Sequence, residues 1–147
     1  MVSSVVHIGC GAGFSGDRVD AAIPVVATLA KKEGPKYLIF ETLAERTLAL
    51  AQKHRRKDPS HGYSPFLESY IRPILKKCHE SGIKIVSNFG AANPKGGAIK
   101  IAEIAKETGC NDIKIAIVEG DDLLQIMSGA DIQNHPTIEG LDIGDNE

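Results

Sequence analysis

The sequence predicts an α/β fold: a parallel sheet of at least four strands with helices on both faces, a Rossmann-like three-layer sandwich. Three observations predict it. Four short apolar runs, Val5–Ile8, Tyr37–Phe40, Ile83–Val86 and Ile113–Val118, are rich in β-branched and aromatic residues and too short for helices. Helical patterns separate them, and strand–helix–strand alternation means parallel strands joined by crossovers. The runs also lack polar alternation, as strands buried on both faces do. Half of a (βα)8 barrel is the other arrangement that four such units allow.

The first helix is expected from about Asp17, which can cap it, to Lys32, before Gly34-Pro35 stops it. The second runs from about Leu43 to Arg56, until Asp58-Pro59 breaks the chain. A third starts at Ser64-Pro65, an N-cap followed by proline at the first helical position. It carries Phe66, Tyr70, Ile74 and Cys78 on one face, with a kink expected at Pro73 and an end at Gly82. The fourth opens after Asn93-Pro94 and closes at Gly109. Residues 130–147 form an acidic, weakly patterned tail.

With 147 residues, 42% of them apolar, the chain is expected to form a single α/β domain with a substantial core. Seventeen basic and 19 acidic residues leave a net charge of −2, which gives no electrostatic footprint for nucleic acid. The basic run Lys53–Lys57 sits at an expected helix end, where cations complement the dipole. No apolar run approaches the roughly 20 residues of a membrane span, and no signal peptide is recognisable. Cys10, Cys78 and Cys110 show neither metal-ligand spacing nor a disulfide framework, so a cytoplasmic location is expected.

Ligand sites of parallel α/β folds lie at the carboxyl ends of the strands. All four runs end there in polar or glycine-rich residues, whereas their other ends are ordinary turns. After the first come Gly9 to Arg18, after the second Glu41, Glu45 and Arg46. The third leads into Ser87–Pro94, with Asn88, Gly90 and Asn93, and the fourth into Glu119, Gly120, Asp121 and Asp122. Gly11–Gly16 fits G-x-G-x-x-G between a strand and a helix, and Glu41 stands where a ribose-binding acid would. A nucleotide-binding oxidoreductase using NAD(P) is therefore one reading. A permissive turn is the other, because Asp17 at the helix start would repel a pyrophosphate.

Glu41 and Glu45 are four residues apart and would share a face if the helix starts early. Two carboxylates near Arg46 suit acid–base work. Asn88 and the backbone of Gly90–Ala92 are neutral donors, while Asn93 alone reads most simply as a helix cap. Asp121 and Asp122 lack a third ligand nearby, so no metal site is assigned, and no cofactor is named.

Taken together, "IGCGAGFSGDRVDAAIPVV", "YLIFETLAERTLALAQ", "DPSHGYSPFLE" and "KIVSNFGAANPKGGA" resemble the N-terminal domain of the acyclic terpene utilisation AtuA family. The likeness runs from about residue 6 to about residue 122, with motifs in the same order. The matching positions include Gly9, Gly11, Gly13, Gly16, Asp17, Arg18, Glu41, Glu45, Arg46, Asn88, Gly90, Asn93 and Pro94. Members are longer, so the resemblance implies the N-terminal part of a larger domain. It also implies a place in acyclic terpenoid catabolism, beside acyl-CoA carboxylation steps, with no reaction assigned.

The expectation is a domain that binds a small anionic or acyl-CoA-like ligand at the strand ends. Arg18 and Arg46 would pair with the anion, Glu41 or Glu45 would supply acid–base chemistry, and Gly11, Gly13, Asp17, Asn88, Gly90 and Asn93 would shape the pocket. A non-catalytic scaffold or subunit domain is the third reading. Expected partners are a small molecule and either a second copy or the rest of a longer AtuA-type protein.

Overall fold

A computed structural model describes residues 5–123 and 126–136. The chain forms two compact units, residues 1–117 and 118–147. In the first, β1 (His7–Ala12), β2 (Lys36–Phe40) and β3 (Ile83–Ser87) make one parallel sheet in the order β1-β2-β3. Its helices are α1 (Ala22–Leu29), α2 (Glu45–Lys57), α3 (Leu67–Ile71), α4 (Leu75–Glu80) and α5 (Pro94–Thr108). The second unit contains α6 (Gly129–Gln133), whose first turn is closed by the Ser128 hydroxyl and the Asp131 carboxylate.

Register assigns the side chains of the sheet to two faces. Gly9, Leu38 and Ile85 stand side by side on one, with Phe40 and Ile83. An irregularity in β1 between Cys10 and Ala12 inserts Gly11 as an extra residue, which puts Ala12 on the same face as Gly9. That face carries the core. Val26 and Leu29 of α1, Leu67, Tyr70 and Ile71 of α3, Leu75 and Cys78 of α4, and Ile104 and Ala105 of α5 join Leu38, Phe40 and Ile83 in one buried cluster. Phe89 stacks on Tyr70 at 5.5 Å, and Phe40 tilts against both rings.

Among the described residues the other face is largely open. Ile8 is 70% exposed and Val86 50%, Cys10 is exposed, and Tyr37 and Ile39 are half-buried. Two expectations are corrected here. Helices do not cover both faces of the described sheet. Among the described residues the run Ile113–Val118 has no ladder partner: Ile113 packs against the core, but Ile115, Ile117 and Val118 are exposed. Strand-like composition supplies propensity, and a strand exists only where an edge is close enough to bond.

The helix boundaries shift for local reasons. α1 begins at Ala22, five residues later than Asp17, because the Asp17 carboxylate accepts from the Gly13 and Arg18 amides and closes a turn instead. α2 begins at Glu45, where the Thr47 hydroxyl accepts from Ala44 N–H at 2.7 Å. The third expected helix becomes α3 and α4, separated at Arg72-Pro73-Ile74. Proline cannot donate to the helix ladder and crowds the preceding turn. Gly109 ends α5 with φ +76°, as a glycine at that position tolerates.

A surface network joins α3 to α5. Glu68 accepts from Arg72 at 2.6 Å and pairs with Lys100 at 3.0 Å, while Arg72 also pairs with Glu107. Hydrogen bonding to Lys100, then Arg72, holds the Glu68 carboxyl below the ordinary glutamate range. A lowered carboxylate pKa contributes stability above its unfolded value and loses it as pH falls through the folded value. Stability is therefore expected to fall as pH drops below the ordinary glutamate range. In Glu68→Gln this acid limb becomes shallower in a pH series of thermal melts. The effect is small, because the network faces solvent.

Candidate functional site

The carboxyl end of the sheet is held together by one asparagine. Asn88, the first residue after β3, accepts at Oδ1 from the Thr42 amide at 2.8 Å and the Thr42 hydroxyl at 3.3 Å. Its Nδ2 donates to Glu41 Oε1 at 2.9 Å. The same carboxylate oxygen accepts from the Leu43 amide at 3.0 Å, and Glu41 N–H bonds to Ala12 O of β1. Three strand ends are thereby tied through polar groups. The bond to Leu43, followed by that to Asn88, holds the Glu41 carboxyl below the ordinary glutamate range. Glu41 is exposed and stays ionised at neutral pH, as an acceptor or base.

Thr42 is the residue that sequence reasoning missed. It is buried, and its polar groups are satisfied by Asn88. A threonine between a strand-end acid and a helix was the signal available for it. Glu45 and Arg46 sit together at the start of α2, but Glu41 lies outside that helix. Its carboxylate binds the Leu43 amide and holds 41–43 as a turn, so the two glutamates do not share a helical face. Arg46 is exposed, and Glu45 places a carboxylate in the first turn, where the helix dipole favours it.

The loop after β1 is shaped by Asp17. Its carboxylate binds two amides, and its carbonyl accepts from Tyr70 Oη at 2.6 Å, tying the loop to α3. Arg18 is clamped by Asp20 through two bonds, Nε to Oδ1 at 2.8 Å and Nη2 to Oδ2 at 2.7 Å. Asp20 was not singled out in the sequence. It neutralises Arg18, so an incoming anion must displace a bidentate carboxylate there, but not at Arg46.

The glycines have separate physical reasons. A Cβ on Gly11 would lie 2.4 Å from the Phe40 ring, and one on Gly9 2.4 Å from Val25 of α1. Gly16 has φ +87°, and a Cβ on Gly13 would meet open space. A dinucleotide loop leads from strand directly into a helix whose N-terminus meets the pyrophosphate. Here α1 starts six residues after Gly16, and Gly11 accommodates a core ring.

After β3, the segment 88–93 is locked against the 58–64 loop. Ala92 N–H bonds to Gly62 O, Ser64 N–H to Phe89 O, and Arg55 donates to Ala92 O. Ala91 has φ +43°, a conformation costly for a residue with a Cβ. Its amide and that of Ala92 bond within this assembly, to Asn88 O and Gly62 O, so neither faces an open oxyanion site. Asn93 does two jobs. Its Oδ1 accepts from Gly96 N–H at 2.9 Å and caps α5, while Nδ2 donates to Pro59 O and His61 O. Asn93→Ala is expected to lose about 1–3 kcal/mol, since it removes a cap and orphans two loop carbonyls. Urea denaturation measures the loss.

Residues 6–145 match the sequence model of a family described as acyclic terpene utilisation family protein AtuA. The chain belongs to that family. The match spans every strand-end loop described above and takes in the weakly patterned tail, which the motifs had left outside the likeness. No curated protein and no solved structure matches the chain. Membership associates the chain with acyclic terpene utilisation. No helix among the described residues is long and apolar enough to cross a membrane.

Proposed function

We propose that the strand ends around Glu41, Thr42 and Asn88 bind a small anionic, acyl-CoA-like ligand in acyclic terpenoid catabolism. The observation that carries this reading is the Asn88 bridge. It joins residues 46 and 47 positions apart in sequence and fixes an ionised carboxylate at the sheet edge where parallel α/β folds place their ligands. Family membership supplies the pathway.

In this reading Arg46 is the first anion contact, because its guanidinium is exposed and suits carboxylate or phosphate geometry. Arg18 joins by exchanging Asp20 for the ligand. Glu41 acts as acceptor or base, Glu45 is the second acid–base group, and Asn88 orients the first. Gly13 leaves open space for a ligand at the end of β1, and Asp17 holds that loop in shape.

Isothermal titration with a branched acyl-CoA tests the proposal. Arg46→Ala is expected to weaken binding about tenfold or more, the value of one charge-assisted contact. Arg18→Ala has a smaller effect, because the Asp20 pair must break first. Unchanged affinity in both variants removes the anion role.

A further inference from the structure

Charge is divided unevenly along the chain. Residues 1–117, the first compact unit, hold all 17 basic residues and 11 of the 19 acidic ones, a net charge of +6 within a chain of −2. Arg18, Arg72 and Lys100 of that unit are held by carboxylates. α2 is different. After Glu45 it contains no acid and five cations, Arg46, Lys53, Arg55, Arg56 and Lys57. Among the described residues none of the five forms an ion pair.

The helix has an inner and an outer face. Ala51 is buried, and Arg55 donates to Ala92 O in the segment after β3. Gly62 permits this approach, because a Cβ there would lie 2.8 Å from the Arg55 Cβ. On the opposite side Arg46, Leu50, Lys53 and Lys57 recur at i, i+4, i+7 and i+11, and all four are exposed. α2 therefore borders the candidate site. It starts three residues after Thr42, which Asn88 holds, and its inner face meets the segment that Asn88 begins.

The helix dipole does not account for these cations. It is worth about half a negative charge at the C-terminus, and Asp58 adds one more, against four cations between 53 and 57. Surplus positive charge beside a ligand site raises the local concentration of anions. The outer stripe runs roughly 16 Å from Arg46 to Lys57 at about 1.5 Å per residue, with exposed Leu50 between its cations. With no tryptophan and 5% aromatic residues, the chain offers no stacking platform for an extended nucleic acid. A small molecule with phosphates at one end and a long neutral arm fits the stripe.

We propose that the outer face of α2 binds the phosphates of a coenzyme A ester. Lys53, Arg56 and Lys57 take the nucleotide end, and the neutral arm lies over Leu50. Arg46 stands at the end nearer Glu41, where the acyl group is held. This inference rests on the strand-end ligand reading and extends it, by naming what holds the far end of the ligand.

Isothermal titration of the full chain with three probes tests it: a branched acyl-CoA, the same acyl group on pantetheine, and adenosine 3′,5′-bisphosphate. Acyl-CoA is expected to bind at least about tenfold more tightly than acylpantetheine, the value of one charge-assisted contact, and to weaken as salt rises. The double variant Lys53→Glu, Lys57→Glu is expected to weaken acyl-CoA and the bisphosphate at least about tenfold and to leave acylpantetheine unchanged, with helical circular dichroism retained. Lys76→Glu, at an exposed position of α4, reverses a charge on another helix and leaves all three affinities unchanged. If acyl-CoA binds the double variant as tightly as wild type, or no better than acylpantetheine, the proposal is overturned and the strand-end reading stands. If the bisphosphate binds through Lys53 and Lys57 while the acyl group adds nothing, the strand-end reading falls and the phosphate stripe stands. Absence of binding by both acyl-CoA and the bisphosphate overturns both.

Discussion

Tyr70→Ala is expected to lose about 3–5 kcal/mol, a large fraction of the about 5–15 kcal/mol that holds a domain folded. The ring is fully buried, stacks on Phe89 and touches Phe40 and Phe66. Its removal leaves a cavity among the rings of Phe40, Phe66 and Phe89. Tyr70→Phe separates packing from the polar bond. It keeps the ring and deletes only the donor to Asp17 O, at a cost of about 0.5–1.5 kcal/mol. Burial, then the Asp17 charge, pushes the Tyr70 hydroxyl above its ordinary range, so it remains a donor throughout the working pH range. Urea denaturation measures both variants. Amide exchange at Gly13 and Arg18 reports whether the Asp17 turn loosens in Tyr70→Phe. Equal losses in the two variants would mean that the hydrogen bond, not the ring, carries the effect.

Gly11→Ala is expected to destabilise by about 1–3 kcal/mol through overpacking. The added Cβ meets three atoms of the Phe40 ring, and Phe40 is fully buried and packs against both the Tyr70 and Phe89 rings, which leaves it little room to move aside. Gly9→Ala meets only the tip of Val25 and the Leu29 side chain, and Val25 is half-buried with room to rotate, so its cost is lower. Gly13→Ala meets nothing and should be close to neutral in stability. The series distinguishes two uses of one motif. In a phosphate cradle the glycines matter to ligand affinity; here Gly11 matters to folding with no ligand present. Thermal melts of the three variants read out that order, and a Gly11→Ala melt indistinguishable from wild type would refute the packing role.

β2 and β3 were legible because their cores are continuous β-branched or aromatic runs, as in "YLIFE" and "IKIVSN", whereas β1, expected at Val5–Ile8, runs from His7 to Ala12 through glycines that give no strand signal. α5 was legible to within a residue at both ends, since Asn93-Pro94 and Gly109 are chemical boundary marks. The start of α1 was not, because Asp17 has two local uses. A carboxylate there can cap a helix or close a turn, and the choice depends on Tyr70, 53 residues away, holding the Asp17 carbonyl. The clustering of strand-end polar residues was visible as a pattern. The bond between Glu41 and Asn88 was not, and neither was the Asp20 clamp on Arg18, which changes which arginine is open to an anion.

Composition, the order of strands and helices, the helix stops and the family motifs are local properties, and the sequence by itself determined them. Which face of the sheet the helices share, whether Ile113–Val118 finds a ladder, and which glycine meets a ring were decided only in three dimensions. The physical reason is the same in each case. A side chain's propensity is settled within a few residues, but its partner is chosen by packing between segments tens of residues apart.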